Sequence, residues 1–400
     1  MQNLKLSQLT FLASNFFLIG LFFIHFLLPL FIKNTVFFDD IYNYNFNFSY
    51  LLICLTATLG GFCFNLALLK LKFFDKKIQL NDSFHIKYRG ESLLNLILFI
   101  FIFFWCFLFY MLNGIDYRFN SLEFDFSVSF FLRVVNFFIY PVIVSSIYLV
   151  VHSKARLVKF LSFIIPLTLL ALSNSRSVTL LFISITYFYN ALHNREKIIN
   201  VKNIILLLII VTLFAFWGYY RDPTAESVQY SSLWRLAEPY WYWAFNNASV
   251  YNSNASFFFE NVSRLLDIPK TALGIPTDYS IEGMDFYFVK FFGVEQTKGI
   301  SLPLTLLGEG VLAFSFFGVY LFVILAIIII HIACHFIFLF STRIDFRLLY
   351  IFYLVFIARL LFTYSKTMNG LILLSFYENL RSLIIFALFF KLSRIFTKSS

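Results

Sequence analysis

Ser92 to Leu112 reads SLLNLILFIFIFFWCFLFYML, twenty-one residues without an Asp, Glu, Lys or Arg. A transmembrane helix needs about 20 mostly apolar residues to cross ~30 Å of hydrocarbon, and this run supplies them. Nine further segments qualify or come close, giving a series at 10–32, 46–69, 92–112, 128–151, 157–173, 177–193, 203–220, 313–339, 346–364 and 371–391. The whole-chain composition agrees, with 60% hydrophobic residues, 13% charged residues and a mean hydropathy of +0.81 over 400 residues. Such values lie far outside the soluble range.

The loops test this count, because cytoplasmic loops carry an excess of Lys and Arg. With the N-terminus inside, the inner loops and termini hold eighteen basic residues. The short outer loops hold four. The sequence therefore predicts an all-α polytopic membrane protein of about ten transmembrane helices, with both termini inside. It divides into helices one to seven over residues 1–220, a large external loop of partly helical structure over 221–300, and helices eight to ten over 301–400. The net charge of +10 is assigned to headgroup contacts beside the spans, and no nucleic-acid partner is expected. Lys5 ahead of the run Leu9–Ile32 imitates a secretory signal, but the run is too long and lacks a small-x-small cleavage site, so it is read as a retained first span. Cys54, Cys63, Cys106 and Cys334 all fall inside apolar runs and read as small core hydrophobes.

One pair of segments is expected to form a hairpin. Residues 157–173 and 177–193 flank Ser173-Asn-Ser-Arg-Ser177, and both outer flanks are basic, so the chain turns at Arg176. Seventeen residues rise only ~25 Å, less than the hydrocarbon core, which places the turn below the outer surface. Irregular backbone at that depth packs in protein or lines a wet cavity.

Charged groups within the spans are costly, and they either serve a function or pair and snorkel. Arg133 begins the fourth span and Arg359 sits deep in the ninth. Glu378 and Arg381 are spaced i, i+3 on the tenth, which predicts an intrahelical ion pair and leaves Arg359 with the stronger functional claim. Arg176, Arg221 and Arg235 are expected at the external boundary. A guanidinium fork matches phosphate oxygens, and several converging ones suit a diphosphate. A headgroup contact is the alternative for each. It is preferred for Arg118 and stays open for Arg235, while Arg176 and Arg221 are taken as functional candidates.

The 80 residues from Arg221 to Ile300 are too many for a simple connection. They are dense in aromatics, including Trp234, Tyr240, Trp241, Trp243 and Phe257-Phe258-Phe259. An interfacial aromatic belt accounts for part of this set, and the remainder could stack on sugar rings. After the loop, Leu306-Leu-Gly-Glu-Gly310 approaches the eighth span, with Gly308 and Gly310 expected to permit a bend. Glu309 is then a lone carboxylate at the membrane boundary, either a base with a raised pKa or a helix-capping anchor. The chain has no phosphate-gripping Gly-x-x-x-x-Gly-Lys-Ser/Thr stretch, no Cys/His metal spacing and no nucleophile elbow.

The span count, the Ser-x-Ser-Arg-Ser turn, the large late loop and the pair Leu306–Gly310 and Phe314–Gly318 (LLGEG…FSFFG) resemble the bacterial Wzy-type O-antigen polymerases. That resemblance implies a metal-independent membrane glycosyltransferase, without a cofactor, in the bacterial inner membrane. Donor and acceptor would be undecaprenyl-diphosphate-linked oligosaccharides, with membrane lipids and a chain-length regulator protein as further partners. Glu309 and Arg176 would be catalytic. Arg176, Arg221 and Arg359 would hold the diphosphate, Arg235 and Arg133 would make further substrate contacts, and Trp234, Tyr240, Trp241 and Trp243 would contact the sugars. Three rivals remain, one of them a non-enzymatic acyltransferase partner or scaffold. An O-antigen ligase would be expected to carry a histidine in the outer loop, and residues 221–300 contain none. A flippase for lipid-linked units would not require so long a loop.

Overall fold

Apolar residues without a polar alternation drive these segments into helices, and the computed structural model is almost entirely helical over its described residues, 6–27, 48–71, 90–114, 126–172, 176–194, 212, 306–340, 343–361 and 368–398. The helices are α1 (Leu6–Phe22, extended by a π-turn at Phe23–Leu27), α2 (Phe48–Lys70), α3 (Glu91–Met111), α4 (Phe126–Phe137), α5 (Ile139–His152), α6 (Arg156–Leu172) and α7 (Arg176–His193). Beyond the long loop come α8 (Leu306–Leu339), α9 (Phe346–Leu361) and a rod made of α10 (Met368–Ile372), a π-turn (Leu373–Glu378) and α11 (Asn379–Lys398). Four stretches among the described residues are long and apolar enough to cross a membrane: Leu6–Leu27, Leu51–Lys70, Glu91–Met111 and Ala313–Leu339. The seventh span, 203–220, lies outside the described residues apart from Thr212.

Several segments are less regular than their apolar runs predict. The fourth span is two helices, broken at Phe138, because Pro141 has no N–H to return to the carbonyl of Phe137. Trp105 on α3 braces the break by donating its indole N–H to the carbonyl of Val135 at 2.7 Å. The expected hairpin is present as α6 and α7, two helices packed side by side with Phe163 against Phe182 at 5.4 Å between ring centroids.

At the centre, α1, α2, α8 and α9 pack on one another. Lipid tails are as apolar as leucine, so helices in a membrane associate through close packing and interhelical hydrogen bonds rather than through water exclusion. Gly61 shows the first device: a Cβ there would lie 2.8 Å from Leu18 on α1 and 2.8 Å from Val323 on α8, so a larger residue would pry three helices apart. A buried chain of side chains supplies the second. His331 meets Asn65 Oδ1 at 2.8 Å, and Asn65 donates to Asn15 Oδ1 at 2.9 Å and to the carbonyl of Phe11 at 3.2 Å. Tyr353 on α9 closes the set by donating to the carbonyl of Leu9 at 2.6 Å. Large apolar side chains on the outer faces, such as Phe103, Phe107 and Leu157, stay exposed and read as lipid-facing.

Contacts also align the ends of the helices. Arg347 near the start of α9 lies over the ring of Tyr148 near the end of α5, while Arg359 near the end of α9 lies over Tyr140 near the start of α5. The two helices are therefore antiparallel. His152 touches both Tyr189 and His193, so α7 finishes at the Arg347 end and begins at the Arg359 end.

Candidate functional site

The charged residues of α9 and the last rod converge at the end of the bundle where α9 finishes. Arg359 is 7% exposed, forms an ion pair with Glu378, and stacks its guanidinium on Tyr140 at 3.4 Å from the ring centroid. Arg381, one turn further along α11, lies over Phe137 at 4.8 Å and within electrostatic reach of Glu378, Arg359 and Tyr140. Phe137 and Tyr140 flank the break at Phe138. Burial without counter-charge is expensive for a guanidinium, and aromatic faces offset part of that cost. Two cations nonetheless share one carboxylate among the described residues, and Arg381 Nε has no hydrogen-bond partner among them.

The expected attraction between Glu378 and Arg381 on one helix is present, and an ion pair between helices, from Glu378 to Arg359, is added to it. Glu378 closes the π-turn Leu373–Glu378, an irregularity that re-aims side chains and occurs often at functional sites. Its carboxylate goes to Arg359, so Arg359 is a paired arginine, and the cation with fewer partners is Arg381. Sequence reasoning passed over Arg381, Tyr140 and Phe137. The one available signal was an arginine in mid-span, and the neighbouring glutamate explained it away.

Glu309 occupies the second feature of this end. Helix α8 is two helices joined at Phe314 (φ −139°, ψ 25°) and Ser315 (φ 56°, ψ −153°), and the second conformation is one that residues with a Cβ rarely adopt. Residues eight apart in an unbroken helix are separated by ~12 Å. Gly310 and Gly318 instead touch through their backbones: a Cβ on Gly310 would sit 2.7 Å from the carbonyl oxygen of Gly318, and one on Gly318 would collide with Gly310. The stretch Leu306–Ala313 thus folds back on the membrane-crossing part of α8. The expected bend exists, but it lies at Phe314–Ser315. Gly310 serves the close approach rather than the turn.

This fold-back buries Glu309 to 1% exposure and aims Oε2 at the N–H of Met368, 2.5 Å away, at the start of α10. The glutamate caps the N-terminus of another helix, which is the anchoring alternative raised by its sequence position. Oε1 has no hydrogen-bond partner among the described residues. Glu309 precedes the crossing segment Ala313–Leu339, and its pKa is raised to about 7, because burial disfavours the carboxylate more than the Met368 N–H favours it. A carboxyl group tuned near neutrality, with one oxygen anchored and one unengaged, can exchange a proton at physiological pH. Ten residues separate Met368 from Glu378 along the last rod, ~15 Å of helix, so Glu309 and the arginines form two layers of one end.

The other expected site residues divide as follows. The backbone of Arg176 opens α7 at the Arg359 end of the bundle. Thirteen residues carry α7 from Tyr189 back to it, ~20 Å, and nine carry α9 from Tyr350 to Arg359, ~14 Å, the two tyrosines being neighbours. The side chains of Arg176 and Arg133 lie outside the described residues, Arg133 being placed only as part of α4. Arg221, Arg235, Trp234, Tyr240, Trp241 and Trp243 lie outside them altogether. No group of three or more His, Cys, Asp or Glu suited to a metal ion occurs among the described residues.

The combination at this end is a helical bundle with a buried carboxyl group at the fold-back of α8, a buried arginine near the end of α9, a half-buried one on the last rod, and a long aromatic-rich stretch in the sequence between α7 and α8. Neither a protein-family model, nor a curated protein, nor a solved structure matches the chain.

Proposed function

We propose that the chain is a membrane glycosyltransferase of the O-antigen polymerase type, joining lipid-linked oligosaccharide units at the outer face of a bacterial inner membrane. The bundle in this reading has ten spans with both termini inside, and the long loop is external.

The observation that carries the reading is the sharing of Glu378 by Arg359 and Arg381 in a buried, aromatic-lined place. Surplus positive charge at that depth is costly unless an anion arrives, and a lipid diphosphate is an anion that enters from the membrane. In the reaction, a hydroxyl oxygen of the acceptor sugar bonds to the anomeric carbon of the donor glycan. The bond from that carbon to the diphosphate oxygen breaks, and undecaprenyl diphosphate leaves with the bonding pair. Glu309 takes the hydroxyl proton, and the guanidinium groups stabilise the departing charge, the kind of electrostatic stabilisation that most often dominates catalysis. Arg176 and Arg221 complete the anion site, Arg235 and Arg133 support it, and the loop aromatics hold the sugars.

Replacement of Arg359, Arg381 and Glu309 one at a time, with surface polysaccharide resolved on a gel and protein level checked in the membrane fraction, tests this. The expected result is loss of long glycan ladders with single-unit capping retained. Loss of all capping would indicate a ligase, and accumulation of inward-facing lipid-linked units a flippase. Normal ladders from all three variants at normal protein level would remove the proposal.

A further inference from the structure

At the opposite end of the bundle, where α3 begins and α5 gives way to α6, a cavity of about 400 Å³ opens between the helices. This lies within the ~300–1,000 Å³ range of small-ligand sites. Its polar side holds two kinds of group. Glu91 and Asn95, one turn apart on α3, offer acceptors, and Asn95 Oδ1 is buried without a hydrogen-bond partner among the described residues. Lys154 and Ser153, in the link between α5 and α6, offer donors, and Lys154 is exposed. The apolar side is Leu96, Phe99 and Val158.

The apolar side continues along the outside of the protein. Leu96, Ile100, Phe103 and Phe107 follow one another at i, i+4, i+7 and i+11 on α3 and are 52%, 57%, 53% and 54% exposed. This spacing makes one stripe along the helix. Leu157 and Phe160 on α6 are exposed as well, at 68% and 62%. A molecule that uses both parts has a headgroup with separated positive and negative charges and a long apolar tail.

We infer that this cavity is a headgroup site for an aminophospholipid, with phosphatidylethanolamine as the chemistry it fits. The primary ammonium donates to Asn95 Oδ1 and to Glu91, whose Oε1 is also engaged by Arg347 at 3.0 Å. The phosphate takes the Lys154 ammonium and the Ser153 hydroxyl, and an acyl chain lies along the α3 stripe. Neither side requires the glycosyl-transfer reading, and the site sits at the other end of the bundle from Glu309.

The test uses the full chain purified in detergent, with equal amounts of phosphatidylethanolamine, phosphatidylcholine and phosphatidylglycerol added, and retained lipid read by native mass spectrometry. The wild-type chain should retain phosphatidylethanolamine about tenfold over phosphatidylcholine, whose quaternary ammonium has no N–H, since hydrogen bonds to charged groups carry such factors. Asn95→Leu should reduce that preference to about twofold or less. Lys154→Ala, a change at an exposed position that leaves the bundle intact, should lower retention of phosphatidylethanolamine severalfold. Equal retention of the three lipids, a preference for phosphatidylglycerol, or retention unchanged in both variants would overturn the inference.

Discussion

Helix α9 carries one arginine toward each end, Arg347 and Arg359, and their surroundings differ in the sign of the local charge. Arg347 donates to Asp345 through Nε at 3.1 Å and through Nη2 at 2.9 Å, and to Glu91 at 3.0 Å through Nη1. It also lies over Tyr148 at 5.4 Å. Two carboxylates thus surround one cation, and they tie α9 to α3. Arg359 has the reverse ratio, sharing Glu378 with Arg381. A membrane protein that needs only to join helices can neutralise its buried cations, as the Arg347 end does. Among the described residues the Arg359 end leaves positive charge over, beside a strained backbone at Ser315 and a Glu309 whose Oε1 has no hydrogen-bond partner among them.

The largest effect should come from breaking the neutralised end. Arg347→Ala leaves Asp345 and Glu91 without their shared cation, and removing one partner of a buried pair costs about 3–5 kcal/mol. Thermal unfolding in detergent should show this loss, with a smaller one for Arg359→Ala, because Arg381 remains beside Glu378. Equal losses would mean that both arginines are structural and would dissolve the contrast.

Next in size is the pH response of Glu309. Burial pushes its carboxyl group in the folded chain up to about 7 from the ordinary value of 4.5, so the folded chain binds more protons between those values. Stability therefore falls as pH rises from about 4.5 to about 7 and levels off beyond it, by an amount on the order of 3 kcal/mol. Glu309→Gln should flatten that slope in melting curves taken across the range. Transfer activity should move the opposite way in the parent protein, rising through about pH 7 as the base loses its proton.

The smallest effects concern the fold-back. Gly318→Ala forces a methyl group into the Gly310 backbone and should cost about 1–3 kcal/mol, as overpacking does. Ser315→Gly relieves a positive φ and should raise stability by up to about 1 kcal/mol. A melting point unchanged by Gly318→Ala would show that the two parts of α8 are not held together there.

Much of the helical framework was legible because long apolar runs admit few alternatives, and the turn between α6 and α7 followed from basic flanks alone. The irregularities were less legible. Pro141 gave a signal for the break at Phe138 that the apolar run hid, and a π-turn has no spacing signature of its own. Glu309 stood out as a carboxylate between two glycines, yet nothing local indicated that its partner would be the N–H of Met368, 59 positions away. The Glu91–Arg347 pair spans 256 positions and was equally out of reach. Short-range rules pointed to Glu378 with Arg381, and they gave no sign of the further contact from Glu378 to Arg359 on another helix.

The most direct test is the affinity of the purified chain for undecaprenyl diphosphate, compared among the parent protein, Arg381→Ala, Glu378→Gln and Arg343→Ala as a control at the other end. The account predicts at least about tenfold weaker binding for Arg381→Ala, from the loss of a charge-assisted contact. It predicts tighter binding for Glu378→Gln, which frees both guanidinium groups from their shared carboxylate, and no change for Arg343→Ala. Binding unaffected by Arg381→Ala and by Glu378→Gln would contradict it.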